Sequence, residues 1–245
     1  MIRVAAVGDV HYGTDSGGTL RTHLEDISDH ADVLLLAGDL TRHGAANEAA
    51  VLASDLADVD VPVVTVLGNH DFHRDEDARI RGLLEAADVQ VLEGETAVVD
   101  AHGERLGIAG IKGFGGGFAG ACGSDFGEPE MKAFIRHTKQ TAASLSTALG
   151  SLNADHRVVL LHYSPVEATL RGERLEIYPF LGSFLLAEAI DGLGADLVLH
   201  GHAHNGSEKG VTPGGIHVRN VAQPVIRHPY NLYCLGVDGG RASPA

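Results

Sequence analysis

Two cysteines are all that the 245-residue chain contains, Cys122 and Cys234. They are too few for a disulfide framework, and a reducing interior is the simpler expectation. Basic residues are scarce as well: 18 Lys and Arg stand against 33 Asp and Glu, for a formal net charge of −15. That balance weighs against nucleic acid as a partner, because phosphate-backbone contacts need a basic surface. It leaves room for a local positive site built from metal ions. No apolar run approaches membrane-spanning length. The opening segment MIRVAAVGDVHYG is broken at Gly8 and Asp9 before it reaches the length of a signal-peptide core. A soluble cytoplasmic protein without a membrane partner is therefore expected, and no pattern specifies its oligomeric state. Repeats and linkers are also missing, so the chain reads as one domain over residues 1–240 with a frayed tail at 241–245. At 44% hydrophobic and 21% charged, it has the composition of an ordinary globular protein.

What the sequence does have is alternation. IRVAAVG (2–8), DVLLLAGD (32–39) and VPVVTVLGN (61–69) are short apolar runs of the kind buried on both faces of a sheet. Between and after them, AANEAAVLASDLA (45–57) and DEDARIRGLLEAADV (75–89) carry helical spacing. This β-α-β-α pattern predicts parallel strands with right-handed crossovers. Residues 89–113 leave no room for helices and read as successive strands, two of them joined in a hairpin at His102-Gly103. Pro129 opens a long helix whose buried face is predicted as Met131, Phe134, Ile135, Thr138, Ala142, Leu145 and Leu149. Runs at 157–165, 195–202, 215–222 and 231–238 complete the strands, and the whole suggests a layered α/β sandwich.

Chemistry gathers at the strand ends. The first strand ends in GDVH, giving Asp9 and His11, and the second in GDLT, giving Asp39. The third ends in GNHD, giving Asn69, His70 and Asp71. Later strands end in LLHYS, with His162, and in HGHAH, with His200, His202 and His204. Histidines two apart at the end of a strand point to one side, and ligands in open α/β sheets bind at the carboxyl ends of the strands. Chance explains one such junction easily and five poorly.

The ordered set D-x-H, G-D, G-N-H-D, H and G-H-x-H resembles the calcineurin-like metallophosphoesterase superfamily. The resemblance implies a four-layer α/β/β/α sandwich around a two-metal centre. Carried over by position, one ion would be held by Asp9, His11, Asp39 and His204. The second would be held by Asp39, Asn69, His162 and His202, with Asp39 bridging and a metal-bridging hydroxide attacking phosphorus. Two divalent ions, two aspartates and that hydroxide sum to +1, which attracts phosphate despite the acidic surface. Four imidazoles suit Mn, Fe or Zn better than Mg or Ca. The resemblance makes His70 the residue that assists the leaving group, and Asp71 is the natural group to orient it. A structural histidine is the bland alternative for His70. His200 is expected to pack or to support a ligand, and the remaining histidines to lie on surface or loops.

GFGGGFAGACG (113–123) lacks the Lys-Ser/Thr ending of a P-loop, which leaves a flexible loop near the site or a plain connection. The long stretch 163–183 offers Arg171, Arg174, Tyr178 and Phe180 as candidates to shape substrate choice, or is a solvated crossover. The protein-phosphatase branch reads G-D-x-V-D-R-G where this chain reads GDLTRHG. His43 stands where that branch has its phosphate-gripping arginine, and Arg42 is displaced by one. The expected substrate is therefore a small-molecule phosphate ester, leaning to phosphodiesters. A phosphoprotein phosphatase and a non-catalytic metal-binding scaffold are the alternatives.

Overall fold

The computed structural model describes residues 1–236. The expected tail at 241–245 and the last two residues of the 231–238 run lie outside them. Strands β1 (Ile2–Val7), β2 (Val33–Ala37), β3 (Val63–Val66) and β4 (Val89–Val91) pair in parallel in that order, and β13 (Asn231–Leu235) adds antiparallel to β1. The helices that follow the first three strands are α1 (Arg21–Leu24), α2 (Ile27–His30), α3 (Ala46–Leu56) and α4 (Asp77–Glu85). Each crossover from one parallel strand to the next thus runs through helix, as the alternation requires.

The second sheet has the order β11 (Lys209–Val211), β12 (His217–Asn220), β10 (Leu197–His200), β9 (His156–Leu161), β6 (Glu104–Ile111), β5 (Glu95–Ala101). Its four inner strands are parallel and both edge strands antiparallel. The β5–β6 hairpin turns at His102 (φ 54°) and Gly103 (φ 81°), the two positive φ values that a tight hairpin turn matching the strand twist requires. Strands β7 (Gly117–Phe118) and β8 (Ala121–Cys122) form a small hairpin inside the glycine-rich segment. Helices α5 (Pro129–Ser151), α6 (Tyr178–Leu181), α7 (Phe184–Leu193) and α8 (Gln223–Ile226) complete the α-helices of the described residues.

Three apolar cores separate four layers. Leu34 and Leu36 of β2 pack with Leu52, Ile80 and Leu84 of the first helices. Val33, Leu35 and Ala37 face the other way, against Ile108, Val158, Leu160 and Leu199 of the second sheet. Val159, Leu161 and Val198 meet Leu145, Leu149, Leu186 and Ile190 of α5 and α7. Consecutive residues of β2 are therefore all buried, on alternate faces, which is why DVLLLAGD shows no polar alternation. The fold is the α/β/β/α sandwich. On α5, Met131 is not part of the packed face: it is 46% exposed, and the buried residues begin at Ile135. Among the described residues no helix is long and apolar enough to cross a membrane, and both cysteines are free.

Candidate metal centre

Because the inner strands of both sheets are parallel, the carboxyl ends of β1, β2, β3, β9 and β10 deliver their loops to one edge of the sandwich. Backbone bonds then lace those loops together: Asp9 N–H to the Gly38 carbonyl (2.9 Å), His11 N–H to the Asp39 carbonyl (3.0 Å) and Gly201 N–H to the His162 carbonyl (3.2 Å). Asp9, His11, Asp39 and His202 all adopt left-handed φ values of 58°, 43°, 50° and 68°. Asp and His tolerate that region better than most residues, but it is strained, and such strain gathers where side chains must be aimed. Two glycines let the loops close. A Cβ at Gly68 would lie 2.1 Å from Asp39 Oδ1, and one at Gly201 would lie 2.2 Å from Asp9 Oδ2. This explains the glycine that opens GNHD and the one that follows His200 in HGHAH.

The side chains converge in two groups that share one residue. Ligand-type atoms of Asp9, His11, Asp39 and His204 lie within 4.8 Å of one another, and so do those of Asp39, His162 and His202. Asn69 joins the second group, its Oδ1 2.9 Å from His162 Nε2. Asp39 sits between them, with Oδ1 3.3 Å from His162 Nε2 and Oδ2 3.7 Å from His11 Nε2. Asp9 Oδ1 lies 2.8 Å from His204 Nε2, and both oxygens of Asp9 accept the His202 N–H.

The donor chemistry fits cations. His162 Nδ1 is 2.8 Å from the Ala37 carbonyl; a carbonyl only accepts, so Nδ1 carries the proton and the Nε2 lone pair faces Asn69 and Asp39. His202 Nε2 donates to the Phe180 carbonyl at 3.3 Å, which leaves its Nδ1 lone pair. His11 Nε2 is buried with no hydrogen-bond partner, an orphan that is costly unless something positive lies before it. Burial lowers the His11 imidazole against the pull of Asp39 and Asp9, and burial with the neighbouring His162 pushes His202 down to about 3. Both are thus neutral, the form that ligates a metal. Burial would raise Asp39, but His162, the His70 amide and His11 outweigh it and hold the carboxyl below its usual range. His204 goes the other way, raised first by its hydrogen bond to Asp9. Across the 2.8 Å between Nε2 and Oδ1 the imidazole N–H donates to the carboxylate, and a metal ion would take the place of that proton.

His70 opens a single 3₁₀ turn, His70–Phe72, after β3. Its N–H donates to Asp39 Oδ1 (2.8 Å), and its Nδ1 lies 2.9 Å from the Arg42 carbonyl. The ring stands edge-on to His11 at 4.6 Å, with Nε2 4.0 Å from Asp39 Oδ2. Asp71 does not orient it. The Asp71 carboxylate is fully buried and accepts from the Thr41 hydroxyl (2.6 Å) and the amides of Thr41, Gly68 and Leu40. It fastens the GDLT loop to the GNHD loop, and burial pushes its carboxyl up. The Arg42 carbonyl does the orienting, and a backbone acceptor carries no residue-type signal in a sequence.

His200 lies outside both groups. It is fully buried, with Nδ1 donating to the Gly201 carbonyl (2.7 Å) and Nε2 2.8 Å from the Thr169 hydroxyl. Burial pushes it down to about 4. The native imidazole therefore stays neutral while the unfolded chain binds a proton below about 6.5. With the folded pKa depressed, stability is complete above that value and is lost as pH falls. The metal-free protein should lose about 3 kcal/mol through His200 alone between roughly pH 6.5 and 4. A urea midpoint that loses nothing across that window when compared with a His200→Gln variant would refute it.

In the 163–183 stretch, Tyr178 is buried and its hydroxyl donates to the Leu170 carbonyl at 3.0 Å, so it cannot reach a substrate. Phe180 is 61% exposed beside His202, while Arg171 and Arg174 lie exposed on the surface. Lys112 had no motif to mark it. Its backbone carbonyl accepts the N–H groups of His162 and Tyr163, and its ammonium sits 4.5 Å over the Phe72 ring.

Comparison with known proteins places this geometry. No curated protein matches the chain significantly in sequence. Among solved structures it is similar to the phosphopantetheinyl hydrolase of Mycobacterium tuberculosis, at 17% identity and a TM-score of 0.66 over 91% of this chain and 90% of that one. It is also similar to a hypothetical protein from Thermus thermophilus, at 18% identity and a TM-score of 0.56 over 100% and 98%. A putative 5′-nucleotidase from Staphylococcus aureus matches at 17% identity and a TM-score of 0.56, over 89% of this chain and 48% of its own. Likeness at such identities concerns the fold. The family model described as calcineurin-like phosphoesterase matches residues 2–206, a span that holds all five strand-end junctions, and the chain belongs to that family of metal-dependent phosphoric-ester hydrolases.

Proposed function

We propose that the chain hydrolyses small-molecule phosphoric esters, phosphodiesters before monoesters, at a dinuclear transition-metal centre. Asp9, His11, Asp39 and His204 would hold one ion, and Asp39, Asn69, His162 and His202 the other. The observation that carries this is the position of Asp39, whose two oxygens face two separate imidazole sets. When bound, two such ions supply Lewis acidity toward phosphoryl oxygens and lower the pKa of water toward neutrality.

The chain's own residues do the rest. The Arg42 carbonyl holds the Nδ1 proton of His70, so a second proton on Nε2 is the one available to a departing alkoxide. Asp71 keeps the two loops that carry Asp39 and His70 in register. The lean toward diesters rests on the GDLTRHG segment. His43 is bound to Glu48 at 2.8 Å and Arg42 to Asp15 at 3.0 Å, so neither reproduces the free arginine of the protein-phosphatase motif. The names of two structural relatives, a phosphopantetheinyl hydrolase and a putative 5′-nucleotidase, are in keeping with small phosphoric esters.

The test is hydrolysis of bis(4-nitrophenyl) phosphate and of 4-nitrophenyl phosphate by chelator-treated protein supplied with one metal at a time. Chelation should abolish activity, and Mn²⁺ should restore at least about tenfold more than Mg²⁺, as the imidazole count requires. Equal restoration by Mg²⁺ would show that the histidines are not the ligands. No turnover of either ester with Mn²⁺, Fe²⁺ or Zn²⁺ would sink the reading.

A further inference from the structure

Beside His11 lies a cleft of about 540 Å³ whose wall inverts the charge balance of the chain. The sequence has 33 acidic residues against 18 basic, yet the lining includes Arg42 and Arg227, with His23 and His228, and not one carboxylate. The volume suits a ligand of nucleotide size.

The far wall is docked onto the centre by backbone bonds. Gly8 N–H donates to the Val221 carbonyl (2.8 Å) and Gln223 N–H donates back to the Gly8 carbonyl (2.9 Å), so α8 begins directly against the strand end that carries Asp9. Helix α8 then stops at Arg227, which adopts a left-handed conformation (φ 56°, ψ 27°). Glycine fills such helix-ending positions at no steric cost; an arginine there is strained. Arg227 is exposed and, unlike Arg42 with its Asp15 partner, forms no ion pair among the described residues. The near wall is equally fixed. Tyr12 donates its hydroxyl to Asp55 (2.8 Å) and accepts the Leu20 N–H (2.9 Å), which holds the 13–20 segment over the cleft.

We propose that this cleft is an anion subsite that receives a second phosphate of the substrate, remote from the ester being cleaved, with Arg227 as its principal ligand. A guanidinium meets a phosphate with two parallel N–H donors, and an acid-free wall leaves that donor pair uncompeted. The substrate class is then a phosphoric ester that carries a further phosphate within a nucleotide's length. This rests on the phosphoester-hydrolase reading and adds specificity to it.

The experiment uses two chromogenic diesters that share bond and leaving group: thymidine 5′-(4-nitrophenyl phosphate), with and without a 3′-phosphate. With the Mn²⁺-loaded protein, the 3′-phosphate should lower KM by about tenfold, the scale of one charge-assisted pair. The advantage should shrink as ionic strength rises. In Arg227→Ala the ratio of the two KM values should fall to near one, and Arg227→Lys should keep part of it. A wild-type ratio near one, or a ratio that survives in Arg227→Ala, overturns the proposal. Should neither diester be turned over, the hydrolase reading fails, and calorimetry on metal-free protein still decides the subsite. Thymidine 3′-phosphate should bind where thymidine does not, and the difference should vanish in Arg227→Ala. Equal binding to wild type and variant overturns it.

Discussion

Asp39→Asn is expected to reduce phosphoester hydrolysis by at least about 10³-fold and to leave one metal ion or none per chain. Mutating the partners that merely orient a ligand already costs about 10–100-fold in metal affinity or activity, and Asp39 stands between both donor groups. Its Oδ1 lies 3.3 Å from His162 Nε2 and its Oδ2 3.7 Å from His11 Nε2. An amide keeps one of those oxygens, replaces the other with a donor and removes the negative charge. The asparagine can still accept the His70 N–H that Oδ1 takes at 2.8 Å, so the loop has a means of staying in place. Elemental analysis beside kcat is the measurement, with the urea midpoint as a check on folding. Two ions per chain in the variant would show that Asp39 does not bridge.

His70→Ala should fail in a different way. The adjacent Asn69 faces His162, while His70 turns its ring toward His11 and its Nε2 toward the centre. Loss of the imidazole should leave both metals bound and lower kcat by about 10²–10⁴-fold, the range of general acid catalysis. Nitrophenolate needs little help to leave, so the loss should be small on nitrophenyl esters and large on alkyl esters. Asn69→Ala should instead weaken one metal, and excess Mn²⁺ should restore part of the rate. If His70→Ala loses metal and is rescued by Mn²⁺, His70 belongs among the ligands and the acid role is wrong.

The legible parts of the molecule were those where one physical demand acts on many neighbouring residues. Strand β2 sits between two cores, so every residue of VLLLA is apolar. The hairpin needed two positive φ values and its sequence offered His102-Gly103. The strand-end residues were legible for a further reason: a parallel sheet sends all its strand ends one way. Strand β11 has three residues and buries only Gly210, too little for a pattern. The 113–123 and 163–183 segments carry a hairpin of two-residue strands and single helical turns that bury two side chains at most. Asp71 stands next to His70 in the sequence, whereas all of its partners but the Gly68 amide lie in the GDLT loop, 30 and 31 residues away. Through-space bonding of that kind leaves no trace in local spacing.

The donors of the centre come from both sheets, and the amide of His202 reaches Asp9 across 193 residues of chain. An unfolded chain brings no such set together, so ions that bind here act as removable cross-links between the two halves of the sandwich. Their binding energy is then folding energy: each site should add RT ln(1 + [M]/Kd), about 4 kcal/mol at a thousandfold excess over Kd. The closures also span most of the chain, and long-range contacts form late. Metal uptake should therefore be among the last events of refolding, and the rate at which chelator strips the ions should report how often the two sheets part.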